Sequence, residues 1–201
     1  MARFWRSCAP PTRRTRTTSR SAALVALLLL AGCGTEVSTA SGEEPLLTIS
    51  ERGAGTITAD TEFSPEALRE ALPEGFEIET GRLDLPGDTI PILYAFSDGH
   101  MILEVFPDRS RQRIRRIDAS SEWVAGPEGA RAGARFADVG GRRMACVPGT
   151  ADLAGRALCT PREGGPVRYV FAHGAETARG ELPGRDVLAQ SILERIVWMA
   201  P

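Results

Sequence analysis

The chain has 201 residues, of which 42% are hydrophobic, 25% charged and 6% aromatic, enough for one domain with a sizeable interior. Its formal net charge of −2 hides an asymmetry: six of the 24 basic residues precede Cys33 and all 26 acids follow it, which leaves −8 from Cys33 onward. That balance argues against a nucleic-acid partner and for an acidic, well-solvated body. Every basic residue is arginine, a bias that carries little mechanism by itself.

The first 32 residues read as an export signal. Arg3, Arg6, Arg13, Arg14, Arg16 and Arg20 make a basic arm with no acid before Glu36, and an apolar run from Ala22 to Ala31 follows. The run is too short to span a bilayer, which takes about 20 residues. Leu27-Leu28-Leu29-Leu30-Ala31-Gly32-Cys33 has the form of a lipobox, in which a short apolar helix closes on two small residues and a cysteine. The Cys33 thiol is the nucleophile for a diacylglyceryl group, and the small Ala31 and Gly32 let a peptidase reach the bond before it. A plain secretory signal would end in an A-x-A-like site and need no cysteine. The Arg13-Arg14 pair lacks the flanking hydrophobics of a twin-arginine signal. Residues 1–32 are therefore expected to leave as a signal peptide, and residues 33–45, polar and ending in Pro45, to tether the lipidated Cys33 to the body.

From Leu46 to Pro201 a single domain is expected. Leu47–Ser50 and Thr56–Ala59 alternate like short strands around Gly53-Ala54-Gly55. Ser64-Pro65 opens a helix, with Ser64 as N-cap, Pro65 in the first turn and Ala67, Leu68, Ala71 and Leu72 as its apolar stripe. Pro73 and Gly75 stop it. Phe76–Thr80 alternates like a half-exposed strand that sets Glu77 and Glu79 on one solvated face. Ile92–Phe96 and Met101–Phe106 flank Asp98-Gly99, a strong hairpin signal, and Arg113–Ala119 gives a further strand.

The second half echoes the first. Gly133–Val139 resembles the Thr61-Glu62-Phe63 entry to the helix, Arg156–Cys159 and Val167–Phe171 flank Gly164-Gly165, and Arg195-Ile196-Val197-Trp198 aligns with Arg116-Ile117-Asp118-Ala119. A helical turn around Val187, Leu188 and Ser191 precedes the last strand, Ile192–Met199. The expected fold class is α+β, mostly antiparallel sheet with short helices, built from two diverged strand-helix-hairpin-strand repeats at about 47–125 and 129–201.

Few residues invite chemistry. Cys8 departs with the signal and Cys33 is acylated, so Cys146 and Cys159 remain as a pair in an oxidising setting, where a disulfide is expected. The competing reading, a metal or redox site, finds neither CxxC nor a neighbouring histidine. His100 lies in a predicted turn and His173 just past a strand. The nearest carboxylate to His100 in sequence is Asp98, which a turn-forming Asp-Gly already explains. No G-x-S-x-G, S-x-x-K, H-E-x-x-H or phosphate loop is present, so no catalytic residue, metal or cofactor is expected. In an extended chain Arg109, Arg111, Arg113 and Arg115 project from one face, which suits either anionic headgroups or charge protection of a strand edge. Trp123 and Trp198 read as packing residues.

In their order and spacing these residues resemble the YfeY-like exported lipoproteins, a family described only as a domain of unknown function. Ser50-Glu51-x-Gly53-x-Gly55, Thr58-Ala59, Arg116-Ile117-Asp118, Gly133-x-x-Phe136-x-Asp138, Cys146 with Cys159, Tyr169-x-Phe171 and Ile196-Val197-Trp198 carry the resemblance, which covers Ser50 to Pro201. The arginine run departs from the expected pattern. The resemblance implies a cell-envelope lipoprotein with paired cysteines in its second half, and no assigned activity. With two membranes in the host, Gly34 after Cys33 is not the aspartate of inner-membrane retention, so the expected address is the outer membrane, periplasmic face. The expected role is a non-enzymatic binding or structural module. A carrier of a lipid or small apolar ligand between the two halves is the alternative, and a hydrolase with an unfamiliar site the remote one.

Overall fold

Two antiparallel meanders, joined strand to strand, make most of the molecule. The computed structural model describes residues 44–85, 87–150, 153–174 and 180–201. The expected signal peptide, Cys33 and the expected tether up to residue 43 lie outside the described residues. In chain order the elements are β1 (Leu47–Ser50), β2 (Gly53–Ala54), β3 (Ile57–Thr58), α1 (Pro65–Ala71), β4 (Phe76–Leu85), β5 (Asp88–Ser97), β6 (His100–Pro107), β7 (Ile114–Ala119) and β8 (Val124–Ala125). Then follow β9 (Met144–Pro148), β10 (Arg156–Pro161), β11 (Val167–Ala172), α2 (Arg185–Gln190) and β12 (Ile192–Met199). An eight-stranded sheet runs β4-β5-β6-β7-β12-β11-β10-β9. A small sheet, β3-β2-β1-β8, holds the one parallel pairing among the described strands, β1 with β8.

Local chemistry explains the elements. Asp98 and Gly99 both take positive φ, +50° and +75°, as a two-residue hairpin turn between right-twisted strands requires. Ser64 caps α1, its hydroxyl accepting from the Ala67 N–H at 3.2 Å, and Leu72 is already extended ahead of Pro73. Gly53 must be glycine, since at φ +148° a Cβ would fall 1.8 Å from the Ile57 carbonyl oxygen. The β4–β5 hairpin is longer than the expected strand over 76–80, pairing in register from Phe76 with Ser97 to Leu85 with Asp88.

Alternation along the strands divides the large sheet into two faces. On one face, Leu93, Val105, Ile117, Trp198 and Val167 stand side by side across five strands, and all are buried. A second row joins Ala119, Ile196, Tyr169 and Cys159. Ile49, Ala54, Ile57 and Leu68 from the small sheet and α1 complete this core. The Trp198 indole, 1% exposed, donates to the Glu51 carbonyl at 3.0 Å and ties β12 to the β1–β2 turn. Burying a side chain of this size contributes about 3 kcal/mol. On the other face, Glu79, Tyr94, Glu104, Asp118, Val197 and Arg168 form the corresponding row.

The halves differ in one respect from the expected order. The helix precedes the hairpin in the first half, but α2 lies between β11 and β12 in the second. Residues 133–139 form turns and a bridge, Arg135 to Ile192, and not a helix entry.

Candidate functional site

Cys146 and Cys159 are bonded to each other. Cys146 on β9 stands directly opposite Cys159 on β10, and a 2.03 Å S–S bond joins them. The link fastens the edge strand β9, whose Val147 is 56% exposed, to the body of the sheet.

The arginine run does not form the single row that an extended chain would give. β6 ends at Pro107, and Asp108 folds the next residues back: its carboxylate accepts from the Ser110 hydroxyl at 2.8 Å and from the Gln112 N–H at 3.1 Å. The Ser110 bond, with those from the backbone N–H groups, holds the Asp108 carboxyl below its ordinary range. Arg111 takes φ +61°. The guanidinium groups then separate. Arg111 pairs with Asp88 at 2.9 Å, Arg113 donates to the Asp60 carbonyl, and Arg115 donates to the carbonyls of Ala200 and Pro201. Arg109 is exposed. Three of the four thus tie the β4–β5 hairpin, the loop before α1 and the C-terminus to the start of β7.

The strongest electrostatic feature lies on the open face, and sequence reasoning missed it. Asp118, 1% exposed, accepts from Arg116 through both carboxylate oxygens at 2.6 and 2.5 Å and from Arg195 at 3.1 Å. Arg116 and Asp118 are two apart on one strand and share a face, while Arg195 reaches across from β12. The Arg116 guanidinium also sits 4.9 Å over the Phe106 ring. Glu104 stands directly across from Asp118, and burial, with the Asp118 charge next, raises its carboxyl above the ordinary value despite both arginines. Glu194 is lowered, first by its hydrogen bond from Arg156. The buried Nε of Arg195 has no partner among the described residues. The available signal was Asp118 between the apolar Ile117 and Ala119, two residues after Arg116 on the same strand.

A second locus opens where the β5–β6 turn meets the chain leaving β7. His100 and Met101 open β6, and Ser121 and Glu122 follow the end of β7, its antiparallel neighbour, so the four lie toward the same end of this strand pair. These residues line an open cleft of about 450 Å³ with Ser120 and Trp123. The rings of His100 and Trp123 meet edge to face, 4.8 Å between centroids. Ser121 Oγ accepts from the Trp123 N–H at 3.2 Å. A histidine, two serines and a carboxylate converge here, yet among the described residues no hydrogen bond joins His100 to Ser120, Ser121 or Glu122. His173 follows β11, as expected. No group of three or more His, Cys, Asp or Glu side chains among the described residues is arranged to hold a metal. No helix among them is long and apolar enough to cross a membrane.

Residues 40–200 match the family described as "Protein of unknown function (DUF1131)". The chain belongs to this family. A similar protein is "Uncharacterized protein YfeY" of Escherichia coli (strain K12), 22% identical over 151 residues that cover 75% of this chain and 78% of that one. The crystal structure of the uncharacterized protein yfeY from Escherichia coli superposes with a TM-score of 0.63, at 20% identity, over 76% of this chain and 99% of that chain. The DUF1131 fold is therefore the one described above, and the resemblance read from the sequence was to this family.

Proposed function

We propose that this DUF1131 protein is a lipid-anchored module of the cell envelope, held through acyl chains on Cys33 at the periplasmic face of the outer membrane, that binds or supports other envelope components without catalysis. The observation that carries this reading is the run Leu27–Leu30 closing on Ala31-Gly32-Cys33 behind a basic arm. The Cys146–Cys159 bond supports it, because disulfides persist in exported proteins and are rare in reducing compartments. Substituting Cys33→Ala in the full chain, expressed in a two-membrane host fed radioactive palmitate, is expected to leave an uncleaved, unlabelled precursor. Normal processing and labelling of that variant would end the reading.

A second reading, a hydrolase, draws on the meeting of His100, Ser120, Ser121 and Glu122 in one cleft. A working site needs the nucleophile bonded to its base and the base bonded to an orienting group. His100 instead rests against Trp123. A fluorophosphonate probe is expected to leave both serines unmodified; an adduct that disappears in His100→Ala would favour the hydrolase.

The carrier reading needs an apolar pocket between the two halves. There, Ile117, Ala119, Ile196 and Trp198 fill one side of the β7–β12 line and the Asp118 ion pairs fill the other. The same line supports an internal duplication. Aligning Arg195–Trp198 with Arg116–Ala119 makes Asp118 and Val197 equivalent, and these two pair with each other. Ile117 pairs with Trp198 and Ala119 with Ile196, each with the other's equivalent, as a local twofold between β7 and β12 requires.

A further inference from the structure

We propose that the cleft between His100 and Trp123 binds a pyranose ring of an uncharged glycan chain. Its size lies within the range of about 300–1,000 Å³ usual for ligand sites. It is open, so it suits one segment of a longer molecule better than a small apolar compound that must be enclosed.

The lining chemistry narrows the class. Trp123 is half-buried, while His100 and Met101 are exposed, so two rings and a thioether meet solvent together. The two rings stand perpendicular and form a corner, whose apolar walls suit the C–H groups along a sugar ring. Around it stand the polar groups that a sugar edge needs. The Ser121 oxygen already accepts from the Trp123 N–H, which orients the hydroxyl and leaves its O–H to donate. Ser120 adds an exposed hydroxyl, and Glu122 a carboxylate that can take two adjacent sugar hydroxyls. The one charged side chain that lines the cleft is Glu122, and Arg131, beside Ala132, already donates to the Glu122 carbonyl, so an anionic ligand meets the acid first. The remaining wall is low. It is formed by Ala132 and Gly133, and a Cβ built on Gly133 would meet nothing within 4 Å, which leaves a way through for a chain.

The full chain, purified in a zwitterionic detergent without a sugar headgroup, tests this by titration with chitotetraose and, separately, maltotetraose. The Trp123 indole N–H signal, assigned by Trp123→Phe, is the readout. Saturable movement of that signal with either tetrasaccharide is expected, and which sugar acts distinguishes an amino-sugar chain from a glucan. Ala132→Phe, which fills the low wall, should weaken binding about tenfold or more. Ser120→Ala, on an exposed residue, should weaken it by a smaller factor at an unchanged unfolding midpoint. A still indole signal at millimolar sugar, equal binding by both variants, or movement only with a proline-rich peptide overturns the proposal. The outcome is independent of Cys33 acylation.

Discussion

Replacing Asp118 by Asn keeps the side-chain volume and removes the charge, so the cavity contribution that accompanies most core truncations is absent. What is lost is the anion between two cations. Arg116 and Arg195 direct three charge-assisted hydrogen bonds at this carboxylate, at 2.6, 2.5 and 3.1 Å. An amide can accept at only one end and turns a donor toward the guanidinium groups at the other. Breaking a buried ion pair costs about 3–5 kcal/mol. The two arginine side chains remain 26% and 22% exposed, so water reaches part of each and the cost falls at the lower end, about 3 kcal/mol. With a urea slope of about 2 kcal/mol per molar, the unfolding midpoint should drop by about 1.5 M. The melting temperature should fall by about 6–12 °C. The Glu104 carboxyl reports independently. Asp118 is the second cause of its raised value and both arginines oppose it, so Glu104 should titrate at lower pH in the variant. Urea unfolding followed by tryptophan fluorescence, with carboxyl carbon NMR of Glu104, measures both. A midpoint within about 0.5 M of the parent at equal slope, or a Glu104 titration that does not fall, refutes the view that the open face is held by charge pairing.

The remaining predictions concern single groups. Glu104 is raised above its ordinary value of 4.5 by burial first, so its contribution favours the fold at low pH and is lost as pH rises through the folded value. Glu104→Gln should therefore match the parent below about pH 4 and be the more stable at pH 7, read from urea midpoints at the two pH values. A variant that is less stable at pH 7 would show that the arginines outweigh burial and the Asp118 charge. Replacing Cys146 and Cys159 together by Ala should lower stability by about 3 kcal/mol, the loop-closure value for a separation of 13 residues. Calorimetry checks this, and an unchanged melting temperature would mean that β9 stays seated without the bond.

How far the sequence could be read depended on the range of the forces involved. Short-range chemistry was legible: the Ser64-Pro65 cap, the Asp98-Gly99 hairpin, the break at Pro73 and the β12 strand after a helical turn all stand where local residue types put them. The pairing of Cys146 with Cys159 followed from counting, and their direct opposition on neighbouring strands is what makes it work. The arginine run misled because alternation alone implies an extended chain. Asp108 overrides it by capturing Ser110 and the Gln112 N–H, which turns the chain within the run. The β8 pairing was missed because two residues, Val124 and Ala125, leave no periodicity to detect. The His100 cleft and the Asp118 centre are products of strand register. His100 lies more than 20 residues from Trp123, and Arg195 reaches Asp118 across 77 residues, so no window along the chain contains either site.

Register also gives the buried charges a role that apolar packing cannot fill. Sliding β12 by two residues along β7 keeps every side chain on its own face, because alternation has period two. Slid one way, the core row exchanges one apolar neighbour for another, Trp198 moving from Ile117 to Ala119, at a modest cost in fit; slid the other way, it sets Trp198 against the charged Arg115. The open face is less forgiving. The slip toward Ala119 carries Arg195 about 7 Å further from Asp118, beyond what its bond at 3.1 Å can follow without a new side-chain path. It leaves Glu104 opposite Asp118 with one guanidinium in place of two. Like charges on directly opposed strands are unfavourable unless cations stand beside them. The slipped sheet therefore keeps its hydrophobic burial and loses its electrostatic balance. That difference opposes a slip of the two meanders past each other along the β7–β12 line.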